Sequence, residues 1–540
     1  MDKASRHDDV DMPVAKETSG SILPKATDTM GRVSCHSGGS LSNDVDTSLN
    51  EIDSANALAA GLADWLAEMQ LTHRRFLRAT PAYRITQCMG RALRARGASY
   101  DSSLVSKEVE FIRKFVSHSW QSKPFWKTLS LLLLYNWKPA ALASCVSAAV
   151  MMVLFSFGQL PGFMKVGRFT NDVAVFVGPW SLCTGMFTFL LVLIFRPPRE
   201  LVFFDRLCID QRNHKRKMEG VLNIGACLKR SEKLLVIWDS SYCLRLWCIF
   251  ELAAFLRTHE TRDMLVLPLS IAILCVFTFM VTILFSFTSL FLPFDSELTF
   301  YAVVAGLCVL GWLSSAILLN FTDSVEAMRQ QLQDFRTADT TCACCQKEHK
   351  EKDGTPMTCD RHTLVKCLRI WFGSEEEFEQ SVQQSMQGAL MHHLGGLLCS
   401  YHYYVVANLP AMWMQMDFAA GRWYAGNNLA ALESLLLGVV GVFVAAPAML
   451  AGTQLCVQCT SGCRSMVRKL LAAAVCTGLL LGSQGTIQLC LATFDGTPLL
   501  GGTLYGAFWL LPSWALWRSA SSKLLMNDRS QEPHRLPTRQ

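Results

Sequence analysis

Several stretches of this 540-residue chain are almost free of charge over about 20 residues, the length of apolar helix that crosses a bilayer. Ala140–Gly158, Val173–Phe195, Tyr301–Phe321, Ser434–Leu455, Leu470–Phe494 and Leu499–Trp517 each meet that length. Met391–Met414 is less apolar, because His392, His393, His402 and Asn408 interrupt it. Leu265–Leu292 is too long for one ordinary span, and reading Met264–Ser270 as a strand leaves Ile271–Leu292. Only 17% of the residues are charged, against roughly a quarter in soluble domains.

Basic residues decide the orientation. They crowd 196–262 and 322–390, recur at Arg464, Arg468 and Lys469, and return in the tail from Arg518 to Arg539. The loops between are poor in them, Gln159–Asn171 with Lys165 and Arg168 excepted. Counting Met391–Met414 as a span gives about eight crossings, with every other basic region and both termini cytosolic. The net charge of +6 comes without a basic patch interleaved with aromatics, so nucleic acid is not an expected partner and the lipid bilayer is.

The polar segments expected on the cytosolic side alternate between strand and helix patterns. Phe111–Ser117, Leu201–Asp205, Leu234–Trp238 and Met264–Ser270 read as strands. Pro124–Tyr135, Lys215–Lys229 and Leu246–Arg257 read as helices between them. Near-continuous apolar strands alternating with helices predict a parallel sheet covered on both faces.

Three segments carry a family likeness: FVSHSW (Phe115–Trp120), FFDRLCIDQ (Phe203–Gln211) and LLVIWDSSYCLRLWCIFELAAF (Leu234–Phe255). In the last, Tyr242, Trp247, Cys248, Glu251 and Leu252 follow the order of a Tyr-x-x-S-x-Trp-Cys-x-x-Glu-Leu signature. Together they resemble a Toll/interleukin-1 receptor (TIR) domain, over less than a third of the chain, with a transmembrane hairpin inserted after the first helix. The resemblance implies a cytosolic α/β, flavodoxin-like domain on a multi-pass α-helical membrane protein. Two departures stand out: Arg206–His214 replaces the usual Gly-containing loop, and a fifth strand and last helix have no counterpart.

The expected organisation is a disordered segment over 1–55, a helical region over 56–107, and a TIR-like domain in two parts, 108–138 and 198–270. A transmembrane hairpin at 139–197 parts them, and a second follows at 271–321. A cytosolic Cys/His-rich module at 322–390, a transmembrane bundle at 391–518 and a disordered tail at 519–540 complete the chain.

TIR domains either assemble with one another in signalling or cleave the nicotinamide–ribose bond of NAD with a Glu that aligns here with Glu251. The likeness therefore implies self-association or other TIR-like domains as partners, or NAD as substrate of an NAD glycohydrolase. For the enzyme, Glu251 is the expected catalytic residue, and Ser117, Ser119, Trp120, Asp205, Asp210 and Trp247 would bind substrate, with His118 at the same edge. A channel or transporter governed by the domain is a third reading, disfavoured by spans nearly free of ionisable residues. No Walker-type phosphate loop is present.

A second constellation is Cys342, Cys344, Cys345, His349, Cys359, His362 and Cys367. Thiolates and imidazoles at this density suit a structural, tetrahedral Zn site, although the Cys-x-Cys-Cys spacing fits no standard finger and a metal-free, reduced loop fits equally.

Overall fold

Four parallel strands, the first parted from the second by a long apolar insertion, lie side by side in the computed structural model. It describes residues 61, 63–94, 102–165, 175–291, 297–346, 349, 359–394, 397–448 and 503–510, with scattered positions between 467 and 478. The expected terminal segments 1–55 and 519–540, and most of the last two expected spans, lie outside them.

The sheet has six strands: β1 (Arg78–Pro81), β2 (Lys107–Glu108), β3 (Ile112–His118), β6 (Leu201–Phe203), β7 (Ser231–Trp238) and β8 (Met264–Pro268), in the order β2-β1-β6-β3-β7-β8. β6, β3, β7 and β8 run parallel, with Phe115 opposite both Phe203 and Leu234, and Leu235 opposite Leu265. β1 closes the other side antiparallel to β6 and β2. The N-terminal ends of β3 and β7 expose Arg113 and Glu232, which pair at 3.0 Å, while their C-terminal ends are buried on both faces. That gradient marks central strands of a covered sheet. β1 and β2 fall in the region expected to be helical. They are too short and too polar to show a strand period, and their pairing with β6 and with each other holds them extended.

Each face has its own apolar layer. On one, helix α1 (Tyr83–Gly90) and the first turns of helix α2 (Pro124–Ser156) cover Val116, Val202, Leu235 and Ile237. On the other, α4 (His214–Leu222), α5 (Ile224–Lys229) and α6 (Leu246–Leu256) cover Phe115, Leu234 and Val236. The 215–229 helix is thus two helices, broken at Asn223, whose amide side chain bonds Thr72 and the Glu219 carbonyl instead of staying outside the backbone network. The same core takes in Met328, Leu332, Leu364, Leu368, Phe372 and Phe378. The Cys/His-rich segment is therefore built into this face, and its helices α9 (Asp360–Phe372) and α10 (Glu375–Leu394) pack beside α6, with α10 against β8.

Among the described residues, three helices are long and apolar enough to cross a membrane: Pro124–Ser156, Leu269–Phe291 and Asn428–Ala448. The first runs without interruption from the sheet into the apolar body through Pro139. The second, α7, follows β8 directly, as the removal of a strand from the overlong apolar stretch requires. The expected span Val173–Phe195 is corrected. Val175–Val177 is a strand, β5, paired with β4 (Phe163–Lys165), and the helix α3 starts only at Trp180 and has 16 residues. Gly178 and Pro179 stop any helix from running through. α8 (Glu297–Gln333) contains the expected span Tyr301–Phe321 and runs past it, and the expected Met391–Met414 is divided between the end of α10 and α11 (Leu397–Tyr424).

α2, α3, α7 and α11 share one apolar core around Trp413 and Phe189. The two hairpins leave the sheet from opposite strand edges yet join one body, because α7 packs on both α2 and α11. Gly421 lets α11 approach β5: a Cβ there would stand 1.6 Å from the Phe176 carbonyl oxygen. Asp417, fully buried on α11, accepts the Ser181 and Leu182 N–H groups at 2.7 and 3.0 Å, which otherwise have no partner at the first turn of α3.

Candidate functional site

The strand order reverses between β3 and β7, and in open parallel sheets ligands gather beyond the strand ends at such a point. Ser117, near the end of β3, is fully buried there. Its hydroxyl donates to Glu251 Oε2 at 2.5 Å and meets the Tyr242 hydroxyl at 2.8 Å. Tyr242 stacks on Trp238 and reaches the Cys248 carbonyl oxygen at 3.4 Å. Strand β3, the loop after β7 and helix α6 are thereby joined through one chain of side-chain bonds, and residues 134 positions apart touch.

Glu251 keeps some exposed surface, but its carboxyl is enclosed. Burial pushes its pKa up to about 8, the Asp205 charge adds to the rise, and the Ser117 bond opposes it. Burial also raises Tyr242 and Cys248 well above their ordinary values. At neutral pH the centre is therefore largely uncharged, with Glu251 the group poised to change.

A second group of expected residues lies at the ends of β3 and β6. His118 lies between Phe204, at 5.0 Å, and Trp120, at 4.5 Å, and its Nε2 has no hydrogen-bond partner among the described residues. Burial, then the charge of Lys127, holds it well below the ordinary imidazole pKa. Asp205 accepts the Arg206 N–H at 2.6 Å, and burial raises it. The Arg206 guanidinium covers the Trp120 ring at 5.5 Å. Ser119 accepts from Ser241, which is also bound to Asp239, while the buried Lys127 ammonium donates to the Ser119 carbonyl. Sequence reading missed this Lys127–Asp239–Ser241 cluster; the run Asp-Ser-Ser after Trp238 was its only trace.

Two expected residues do not join either group. Asp210 accepts the Arg212 and Asn213 N–H groups at 2.9 and 3.4 Å and pairs with Arg216, an ordinary turn-capping role. Trp247 instead donates its indole N–H to Asp360 Oδ2 at 3.3 Å.

That contact leads to the sulfur-rich cluster. The ligand atoms of Cys344, Cys345, His349 and Cys359 all lie within 4.8 Å of one another and could hold a metal ion. Cys345 Sγ is 3.8 Å from Cys359 Sγ and 3.4 Å from His349 Nε2, which is 3.3 Å from Cys359 Sγ. Tetrahedral metal bonds of about 2.3 Å to sulfur and about 2.0 Å to nitrogen give edges of roughly 3.5–3.8 Å, so the three fit. Cys342 Sγ lies 3.0 Å from Cys345 and 3.1 Å from Cys344, closer than two ligands of one ion stand, and suits a thiol donor to them. Hydrogen bonds from Cys342 and Cys344 hold Cys359 toward its thiolate, whereas burial pushes Cys345 up to about 11. His362 is exposed beside Cys359 and outside the group. Cys367 is buried in the core, its thiol donating to the Ala63 carbonyl at 3.1 Å.

The chain matches no protein-family model, no curated protein and no solved structure.

Proposed function

We propose that this is a multi-pass membrane protein of about eight spans that signals through a cytosolic TIR-like domain of flavodoxin-like topology, by assembling with copies of itself or with other TIR-like domains. The observation that carries the reading is the parallel order β6-β3-β7-β8, in which β3 and β6 come from opposite sides of a long apolar insertion, with the Tyr242–Leu252 signature on the loop and helix after β7. Exposed Leu104, Phe111 and Phe125 on the sheet domain supply apolar surface for such assembly. The channel reading gains no support, since Asp417, the buried acid of α11, serves as a helix cap.

The enzymatic reading, an NAD glycohydrolase using Glu251, has one feature in its favour: an enclosed carboxyl with a raised pKa at the point where the strand order reverses. Against it, Glu251 is engaged by Ser117, Trp120 is covered by Arg206, and Trp247 and Asp210 face elsewhere, so the residues that would hold the dinucleotide do not converge. Assembly is therefore the stronger reading.

Zinc is the ion proposed for the Cys/His cluster, since three thiolates and one imidazole are the donor set of structural zinc. Cys344, Cys345, His349 and Cys359 would hold it, and bound there it would staple the segment onto the α/β domain.

Two measurements on the full chain in nanodiscs test the proposal. Proximity labelling between differently tagged copies is expected to report association, weakened by Phe111→Asp with Phe125→Asp. A strictly monomeric protein would refute the assembly reading. NAD turnover is expected to be absent; turnover in the wild type that Glu251→Ala abolishes would replace that reading with the enzymatic one.

A further inference from the structure

We infer that the metal-binding cluster is a clamp on the first turn of α6, and that Asp360 and Thr341 are the positioning residues that connect them. The inference rests on the zinc reading above and goes beyond it, because it assigns the ion an effect on Glu251 rather than on its own loop.

Two routes join the sulfur cluster to α6, one beginning next to the ligand Cys359 and the other next to Cys342, whose thiol touches Cys344 and Cys345. Asp360 follows Cys359. Its backbone N–H donates to Cys344 Sγ at 3.3 Å, while its carboxylate, almost wholly buried, accepts the indole N–H of Trp247 at 3.3 Å. One residue thus touches a ligand sulfur with its main chain and the first turn of α6 with its side chain. Thr341 precedes Cys342 in the same segment. Its N–H donates to the Leu244 carbonyl at 2.7 Å, its hydroxyl reaches the same oxygen at 2.9 Å, and its carbonyl accepts the Leu246 N–H at 3.1 Å. This is a one-residue parallel bridge to Arg245, at the residue where α6 begins. The Leu246 N–H is one of the orphan donors of a helix start, and Arg245 offers no side-chain cap, so Thr341 caps α6 from a distant segment.

The remaining contacts direct motion to the same place. Arg361 fastens the strap before Cys342, donating to the carbonyls of Thr337 and Thr340 at 2.9 and 2.7 Å. Trp371 stacks on Phe250, next to Glu251, at 5.3 Å. Without an ion, several sulfurs packed within hydrogen-bond distance either repel as thiolates or stay protonated and rotate. In both cases Cys344 gives up a fixed position, and Asp360 and Thr341 lose the anchor that holds them against α6. Trp247 and Glu251 lie one helical turn apart, so a displaced first turn also loosens the Ser117–Glu251 bond.

The test uses the full chain in nanodiscs, with metal content by elemental analysis and hydrogen exchange by mass spectrometry. About one zinc per chain is expected. Stripping it with a chelator should speed exchange across 341–346 and also across 244–252. Asp360→Ala should keep the zinc and speed exchange at 245–252 about tenfold, the loss that one hydrogen bond to a charged acceptor supports. Asp360→Asn, which retains an acceptor for Trp247, should restore protection. Zinc present but exchange at 244–252 unmoved by its removal would overturn the clamp and leave the zinc reading standing. Absence of bound zinc after loading would overturn both.

Discussion

Replacing Glu251 with Gln removes the charge that the centre disfavours while keeping an amide able to bond Ser117. In the folded protein the Glu251 pKa rises from an ordinary 4.5 to about 8. A carboxyl with a raised folded pKa binds its proton more tightly folded than unfolded. Its contribution to stability is complete below the ordinary pKa, declines from about pH 4.5, and is lost once the pH has passed through about 8. The displacement is worth at most roughly 5 kcal/mol, and water at the exposed part of the side chain reduces the expected effect to about 2–3 kcal/mol. His118 acts in the opposite direction: its lowered pKa withdraws stability as pH falls below the ordinary imidazole value. The wild-type curve alone therefore mixes the two, and the difference between wild type and Glu251→Gln isolates the carboxyl. Thermal midpoints in nanodiscs from about pH 5 to about pH 9 should coincide for the two proteins at the acid end. Glu251→Gln should then gain progressively, by about 5–10 °C at the alkaline end. Ser117→Ala should extend the decline to higher pH, because the lost bond is one that favours the charged form. Parallel curves for wild type and Glu251→Gln across this range would refute the argument.

Other perturbations follow from the packing. Gly421→Ala places a methyl carbon against the Phe176 carbonyl and should separate β5 from α11, read as a lower yield of folded protein in detergent. Asp417→Ala strips the acceptor from two buried N–H groups and should cost about 1–3 kcal/mol, measured as a lower unfolding midpoint, with Asp417→Asn intermediate. Phe115→Ala removes a ring stacked 4.6 Å from Phe203 between β3 and β6 and should cost about 3–5 kcal/mol in the same assay.

Much of this architecture is written locally. The four parallel strands are short apolar runs bounded by charge, and Leu234–Trp238 and Leu201–Phe203 fold as their composition demands. Separating β8 from the following span needed only the observation that Leu265–Leu292 is longer than a bilayer requires. The antiparallel pair β1 and β2 had no such signal, because Arg78 and Thr80 are held extended by Val105, Ser106 and β6 rather than by any period of their own. The helix start within 173–195 was legible in Gly178-Pro179, but the apolar strand before it has the same composition as a span. At the site, Ser117 and Glu251 were readable from motif order, whereas the turn of Trp247 toward Asp360 depends on a contact 113 residues distant. In the sulfur cluster, density singled out the right segment. Separating Cys344, Cys345, His349 and Cys359 from Cys367 needed the helix that carries Cys367 into the core.

The central claim is that chain segments on either side of the first apolar insertion form one sheet. Lys114 on β3 and Glu200, just before β6, sit on opposite sides of the first insertion, and their charged groups meet at 2.7 Å. A zero-length carbodiimide reagent applied to intact membranes should join them, so that mass spectrometry finds a Lys114–Glu200 amide within single chains. Recovery of both residues singly modified and never joined would show that the two parts of the sheet do not meet.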